Sequence, residues 1–170
     1  MKGTVILSHG LESGPDATKV TALARVCAAQ GWAEVRPDYR DLDARRDPRS
    51  IMDRVARAVA GAPQAGRVVF AGSSLGAFTS GLASLAHQCD GLFLLALPVR
   101  IDGVPRTFAA AEAPTAMVHG WRDELCPVDA AIAFASARNA TLHVVDDGHR
   151  LTGHVEACAA WFGEFLAGLG

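Results

Sequence analysis

A serine flanked by glycines lies where the sequence changes from an apolar run to a helical pattern. The run V-V-F-A precedes G-S-S-L-G at Gly72 to Gly76, and small residues follow. Between a strand and a helix, G-x-S-x-G predicts a turn so tight that Ser74 has a strained backbone and a raised hydroxyl. The nearby helix N-terminus favours negative charge. Ser74 is therefore a candidate nucleophile; the alternative is a serine that caps the helix between flexible glycines.

A serine hydroxyl needs a general base within hydrogen-bond reach, and two histidines late in the chain are candidates. The sequence D-D-G-H-R places His149 directly after the last apolar run, whereas His154 falls where the final helix begins. Histidine suits this role because its unperturbed pKa lies near neutrality. We predict that His149 is the base, with His154 as the alternative. Structural roles are favoured for the histidines at strand or helix ends and within a strand, which are His9, His87, His119 and His143.

The third member of such a set is a carboxylate that orients the imidazole and stabilises the imidazolium. Asp123 follows the fifth apolar run in H-G-W-R-D-E-L-C-P, on a loop before a helix that starts with proline. Alone it could equally be a loop or capping aspartate. Its position at a strand end, between Ser74 and His149 in chain order, favours the catalytic role. The alternative acids are Glu124 and Asp102.

Negative charge on an attacked carbonyl oxygen requires fixed hydrogen-bond donors. We expect one donor to be the backbone N–H of Leu75, which follows the candidate nucleophile. The other is expected in S-H-G-L-E-S-G-P after the first strand, at the N–H of Leu11, because Gly10 and Gly14 allow close approach. The alternative is an ordinary glycine-rich turn. A phosphate-binding loop is disfavoured, since neither G-x-G-x-x-G nor G-K-[ST] occurs.

These residues must be positioned by strands and helices that alternate along the chain. The strands are predicted from six apolar, β-rich runs: Thr4–Leu7, Glu34–Pro37, Arg67–Ala71, Leu92–Leu97, Ala116–His119 and Thr141–Val145. Most runs are continuous, which is typical of strands buried on both faces of a parallel sheet. Helical patterns cover about residues 16–29, 75–87 and 154–169, and two more begin at Asp47–Pro48 and near Pro127. The sequence therefore predicts the α/β class, as a three-layer αβα sandwich around a mostly or wholly parallel six-stranded sheet, with ligands at the strands' carboxyl ends.

Length and composition indicate one globular domain over residues 1–170. Half of the residues are hydrophobic and a fifth are charged, and the net charge of -2 gives no electrostatic reason for nucleic acid or an anionic membrane as partner. Seven arginines between Arg36 and Arg57 alternate with aspartates, which favours a solvated helix face over a basic binding patch.

The remaining composition favours a cytoplasmic protein. The four cysteines show no C-x-x-C spacing, so reduced thiols are expected. No apolar run reaches the roughly 18 residues of a membrane span, and the N-terminal run is too short for a secretory signal. Oligomeric state is not predicted by any of these features.

Together the motifs resemble the α/β-hydrolase superfamily. The resemblance rests on H-G-L after the first strand, G-S-S-L-G after the third, G-W-R-D-E-L-C-P after the fifth and D-G-H-R-L after the last. The order Ser74, Asp123, His149 matches that family's chain order. The chain is similar to small lidless esterases near the dienelactone-hydrolase-like and short bacterial hydrolase groups, with serine in place of the cysteine nucleophile of dienelactone hydrolases. The resemblance implies hydrolysis through an acyl-enzyme without a cofactor.

Two departures from the family pattern shape the expected site. The family's first two strands, one of them antiparallel, have no counterpart before the H-G-L motif, and only Pro98–Pro114 stands where larger members insert a cap domain. A minimal fold without a cap implies a shallow, open site. Its walls are expected to include Leu11, Glu12, Leu97, Val99 and Trp121. The expected substrate is a small ester; a thioester substrate, or a non-catalytic binding or interaction protein, are the alternatives.

Overall fold

A computed structural model describes residues 1–170 and shows one sheet of six strands, all of them parallel. The strands are β1 (Thr4–Ser8), β2 (Ala33–Val35), β3 (Val68–Ser73), β4 (Gly91–Leu95), β5 (Thr115–Gly120) and β6 (Thr141–Val145). Their spatial order is β2-β1-β3-β4-β5-β6. The chain passes from β1 to β2 on one side, and β3, β4, β5 and β6 then follow one another on the other side of β1. The carboxyl ends of β1 and β3 consequently lie side by side.

Helices cover both faces of this sheet. They are α1 (Thr18–Gln30), α2 (Arg40–Asp43), α3 (Ile51–Ala60), α4 (Leu75–Ser84), α5 (Val128–Arg138) and α6 (Val155–Gly168), with short 3₁₀ turns at Pro48–Ser50 and Thr152–His154. Helices α1 and α6 pack on one face, and α3, α4 and α5 pack on the other. The predicted three-layer sandwich is confirmed.

The central strands β1, β3, β4 and β5 supply both apolar cores, because successive side chains point to opposite faces. On β1, Ile6 belongs to the core beneath α3 and α4, whereas Val5 and Leu7 belong to the core beneath α1 and α6. Neighbouring Phe70 and Ala71 on β3 divide in the same way. Burial on both faces explains why the strands appear in the sequence as continuous apolar runs.

The connection between β4 and β5 contains no helix or strand. Residues Pro98–Pro114 form a loop, so the fold carries no cap domain, as the sequence predicted. No helix in the molecule combines the length and the apolar character needed to cross a membrane.

The segment between β2 and β3 differs most from its prediction. Helix α2 was not predicted. Helix α3 begins only after a 3₁₀ turn, in which the Arg49 N–H donates a hydrogen bond to the Asp47 carboxylate at 2.9 Å. On α3, Ile51, Val55 and Ala58 face the core. Arg54 shares that buried face, since it lies three residues after Ile51 and four before Ala58.

Two glycines let α4 lie directly against the ends of the strands. A Cβ at residue 72 would lie 2.3 Å from the carbonyl oxygen of Gly76. A Cβ at residue 76 would lie 2.0 Å from the carbonyl oxygen of Ser8 and 2.7 Å from that of His9. These contacts involve backbone, which cannot rotate away as a side chain can. Both positions therefore require glycine.

Substitution of Gly76 by alanine tests this packing. We expect Gly76→Ala to lower the free energy of unfolding by about 3 kcal/mol, because the new methyl group forces β1 and α4 apart. Urea denaturation followed by circular dichroism measures the change. Gly168→Ala is the matched control: no atom lies within 4 Å of that Cβ position, so a neutral or slightly stabilising effect of up to about 1 kcal/mol is expected. Equal stability of the two variants would contradict the argument.

Candidate active site

The turn between β3 and α4 holds Ser74 in a strained backbone conformation. Its φ is 56° and its ψ is -121°, a combination that residues with a Cβ rarely adopt. The Ser74 N–H donates to the Leu95 carbonyl at 2.9 Å, and its own carbonyl accepts from Ala77 and Phe78 in the first turn of α4. The turn thus fixes the backbone from both sides and leaves the hydroxyl free to point away from the sheet.

Three side chains from separate strand ends form hydrogen bonds in series. The Ser74 hydroxyl lies 2.8 Å from Nε2 of His149, on the loop after β6. Nδ1 of His149 lies 2.8 Å from Oδ2 of Asp123, on the loop after β5. The carboxylate fixes the tautomer: Nδ1 keeps the ring proton and donates a hydrogen bond to Asp123, so Nε2 is free to accept the serine proton. Of the alternatives, Glu124 and Asp102 are exposed, and His154 contacts a different carboxylate.

Asp123 is buried and held by its own loop. Its side chain is fully shielded from solvent, and Oδ1 accepts from the N–H groups of Leu125 at 3.0 Å and Cys126 at 2.7 Å. On the other side, Nε2 of His119 lies 3.4 Å from Oδ2 while it donates to the Cys126 carbonyl at 2.6 Å. Oδ2 is therefore aimed at His149, because the remaining acceptor positions are occupied by the loop.

A second aspartate anchors the loop that carries His149. Oδ1 of Asp147 accepts from the Gly148 N–H at 2.7 Å, and Oδ2 accepts from Gly153 N–H and from His154 Nδ1, both at 2.9 Å. The hydrogen bond from His154, with the two backbone donors, lowers the pKa of Asp147. Because this pKa is depressed on folding, the anchoring is present at neutral pH and is lost as the pH falls through the lowered value.

The loop after β1 approaches the serine closely. A Cβ at Gly10 would lie 3.3 Å from the Ser73 carbonyl oxygen and 3.5 Å from Cβ of Ser74. The backbone hydrogen bonds of the protein include neither the Leu11 N–H nor the Leu75 N–H as donor. The two groups expected to stabilise an oxyanion therefore have no backbone acceptor.

A buried arginine fixes the start of this loop. Arg54 is 1% exposed; it donates to the His9 carbonyl at 2.5 Å, pairs with Asp43 at 3.2 Å and lies over the Tyr39 ring at 4.2 Å. Burial lowers the pKa of Arg54 and raises that of Asp43, each opposed by the partner's charge. His9 is also buried, and its Nε2 accepts from the Tyr39 N–H at 3.0 Å. Sequence analysis missed Arg54, although its helical spacing with Ile51 places it on the inward face.

A cavity of about 880 Å³ lies beside Leu11 and Leu75, and neither Ser74 nor His149 is among its lining residues. Leu11, Glu12 and Leu75 line it, whereas Trp121 is exposed elsewhere on the Asp123 loop. Leu97 is 2% exposed within the core, and Val99 packs against the same core, so neither reaches the cavity.

The rest of this cavity is formed by segments that are distant along the chain. The opposite wall comes from residues 40–54, with residues 101–104 at one side. Arg40, Arg46 and Arg54 line the cavity, and the sequence analysis had assigned them to a solvated face. Arg40 pairs with Asp38 and Arg54 pairs with Asp43, so this wall is not a purely basic surface.

One group of side chains has the composition of a metal site. The candidate ligand atoms of Asp123, Cys126 and His149 all lie within 4.8 Å of one another. However, burial raises the pKa of the Cys126 thiol to about 12, so the thiol stays protonated at neutral pH and is a poor metal ligand. The carboxylate and imidazole are already hydrogen-bonded to each other. The donor set does not fit a resident metal.

The parallel sheet, the strained turn and the hydrogen-bonded series define an enzyme fold of the α/β-hydrolase class. A family model described as an alpha/beta hydrolase domain matches residues 1–156. The chain belongs to this family. None of the curated proteins matches the chain.

Solved structures agree with this assignment. A protein from Xanthomonas campestris pv. campestris, assigned as a hydrolase of the alpha/beta superfamily, is 46% identical, with a TM-score of 0.93 over 98% of this chain and 99% of that chain. The esterase Pf2001 of Pyrococcus furiosus is 17% identical, with a TM-score of 0.75 over 99% and 84%. Est1E from Butyrivibrio proteoclasticus is 18% identical, with a TM-score of 0.71 over 98% and 88%. The last two show similarity of fold.

The anchoring of the His149 loop is tested by Asp147→Asn. The amide keeps the size of the side chain but loses the charge that holds His154 and Gly153. We expect amide hydrogen exchange in residues 148–153 to accelerate roughly tenfold, which equals about 1.4 kcal/mol of local stability. Asp146→Asn, at the adjacent exposed position paired with Arg122, is the control and should leave exchange unchanged. Equal exchange rates in both variants would disprove the anchor.

Proposed function

We propose that this protein is a serine esterase that cleaves small, unhindered carboxylic esters through an acyl-enzyme on Ser74. The proposal rests on the hydrogen bond of 2.8 Å between the Ser74 hydroxyl and Nε2 of His149. Nδ1 of the same imidazole lies 2.8 Å from Oδ2 of Asp123. A hydroxyl, an imidazole and a buried carboxylate in this order are the parts that nucleophilic acyl transfer requires. The hydrolase family and the 46% identical relative support the same class of reaction.

In the proposed first step, Oγ of Ser74 attacks the ester carbonyl carbon while its proton passes to Nε2 of His149. The negative charge that develops on the carbonyl oxygen is stabilised by the N–H groups of Leu11 and Leu75. Asp123 remains ionised and stabilises the imidazolium. His149 then returns its proton to the departing alkoxide, so that an alcohol leaves and an ester to Ser74 remains.

In the second step, water attacks the acyl group and His149 accepts the proton of the water. Collapse of the tetrahedral intermediate breaks the bond to Oγ, and the imidazolium returns the proton to Ser74. The carboxylic acid is released and the enzyme is restored. Each step uses only groups of this chain and one water, so the proposed cycle requires no metal or organic cofactor.

The role of Ser74 is tested by stoichiometric labelling with a fluorophosphonate probe. We expect one label per wild-type chain and none on Ser74→Ala, because phosphonylation requires the activated hydroxyl. Ser73→Ala is the matched control, since it removes the neighbouring serine of the same turn, and it should still label. Intact-mass spectrometry measures the outcome. A wild-type protein that stays unlabelled would support a non-catalytic binding protein instead.

The identity of the base is tested by replacing each histidine near the end of the chain. His149→Ala should lower kcat/KM for p-nitrophenyl acetate by roughly three orders of magnitude or more, because no other base reaches Ser74. His154→Ala should retain most activity, since His154 contacts Asp147 rather than the serine.

The reverse result for these two variants would show that the base assignment is wrong. Comparison of p-nitrophenyl esters of increasing chain length with acyl-CoA thioesters then separates an esterase from a thioesterase, which would use the same groups.

A further inference from the structure

The peptide unit that joins Gly10 to Leu11 is not fixed by packing or by the sheet. Gly10 has no side chain, the Leu11 side chain is 56% exposed, and Glu12 is exposed as well. Neither the Gly10 carbonyl nor the Leu11 N–H takes part in a backbone hydrogen bond. Yet the Leu11 N–H has to point in one direction if it is to stabilise an oxyanion. Some other contact must therefore hold this peptide unit.

The imidazole of His9 supplies that contact. Its Nδ1 lies 2.8 Å from the Gly10 carbonyl oxygen, and its Nε2 accepts a hydrogen bond from the Tyr39 N–H at 3.0 Å. Because a backbone N–H can only donate, Nε2 carries no proton, and the proton of the neutral ring is on Nδ1. The Gly10 carbonyl can only accept, so Nδ1–H donates to it. Both contacts require the same tautomer.

The surroundings of His9 hold the ring in place and keep it neutral. The residue is fully buried, and its own carbonyl accepts from Arg54 at 2.5 Å. Burial lowers the pKa of His9, and the positive charge of Arg54 acts in the same direction. The Asp38 carboxylate lies 3.9 Å from Nε2, beyond hydrogen-bond distance. The ring therefore remains a donor at Nδ1 and an acceptor at Nε2.

The two ends of a peptide unit cannot turn independently. The unit is planar, and in the trans form its C=O and N–H point in opposite directions. A hydrogen bond that fixes the Gly10 carbonyl therefore also fixes the Leu11 N–H, which points away from the imidazole. The same segment lies against the turn of the candidate nucleophile, since a Cβ at Gly10 would lie 3.5 Å from Cβ of Ser74.

We infer that His9 is a positioning residue for catalysis, whose Nδ1–H holds the Gly10 carbonyl and thereby directs the Leu11 N–H at the carbonyl oxygen of the substrate. This inference rests on the proposed esterase function. It goes beyond that function because it assigns a role to a buried histidine that takes no part in proton transfer. A histidine that only stabilised the fold would leave the turnover of a bound ester unchanged.

Two variants that differ by one hydrogen-bond donor test the inference. In His9→Asn, the side-chain amide can take the place of Nδ1–H, whereas His9→Leu has nearly the same shape and no donor. Both variants lose the acceptor for the Tyr39 N–H, so that loss cancels. We expect kcat for p-nitrophenyl acetate to be at least about tenfold lower in His9→Leu than in His9→Asn, with KM values within about twofold, because an oxyanion forms only in the transition state. Equal kcat values in the two folded variants would overturn the inference.

His87 provides a matched control in the turn after α4. Its Nδ1 makes the same contact with the carbonyl of the following residue, at 3.0 Å from the oxygen of Gln88. His87→Asn and His87→Leu should therefore have equal kcat values. The pH profile of kcat/KM, which reports the protonation of the base, should have the same midpoint in His9→Asn and His9→Leu. Different midpoints would show that the substitution acts on His149 instead, and would also overturn the inference.

The tautomer of His9 is tested on wild-type protein, so that the inference does not depend on the folding of a variant. The ¹⁵N chemical shifts of labelled histidine rings distinguish a protonated from an unprotonated ring nitrogen. At neutral pH we expect the proton of His9 on Nδ1 and none on Nε2. A proton on Nε2, alone or together with one on Nδ1, would overturn the inference.

The two proposals fail in different ways. If wild-type protein labels on Ser74 and hydrolyses p-nitrophenyl acetate, but His9→Asn and His9→Leu have equal kcat values, the esterase proposal stands and the role of His9 is wrong. If neither labelling nor hydrolysis occurs, the esterase proposal itself has failed, and the inference fails with it.

Discussion

The structure depends on the close approach of three backbone segments at the centre of the sheet. The first turn of α4 lies against the ends of β1 and β3, where residues 72 and 76 leave no room for a Cβ. This contact forces the sharp turn at Ser74, with its φ of 56°. It also brings the loop after β1 beside that serine. A strained residue persists only where its surroundings overdetermine it, and here the backbone of two strands and a helix does so.

The other two members of the series reach Ser74 because parallel strands place all their carboxyl ends at one edge. Asp123 follows β5 and His149 follows β6, and each loop is fixed by hydrogen bonds from its own backbone. The arrangement is therefore preorganised before any substrate binds. In the proposed mechanism this matters because groups already in place need no reorganisation as charge develops. The same principle applies to the loop of Leu11, whose start is fixed by the buried Arg54.

Much of the fold and the position of the candidate site were predictable from local sequence patterns. Continuous apolar runs predicted buried parallel strands, and short motifs at their ends predicted which loops carry Ser74, Asp123 and His149. Contacts between segments far apart in the chain were not predictable. Arg54 bonds to the carbonyl of His9, 45 positions away, and no local pattern specifies such a pair. For the same reason the cavity was missed, since its walls come from residues 11–13, 40–54, 75 and 101–104, which are adjacent only in the folded protein.

The central claim is that Asp123 acts through His149 on Ser74, and a double-mutant cycle measures this most directly. The kcat/KM of Asp123→Asn is compared in the wild-type and in the His149→Ala background, with p-nitrophenyl acetate as substrate. The account predicts a loss of at least a hundredfold in the wild-type background and almost none once His149 is absent, because residues that act as a unit are not additive. Equal losses in the two backgrounds would show that Asp123 and His149 work independently, and would contradict the account.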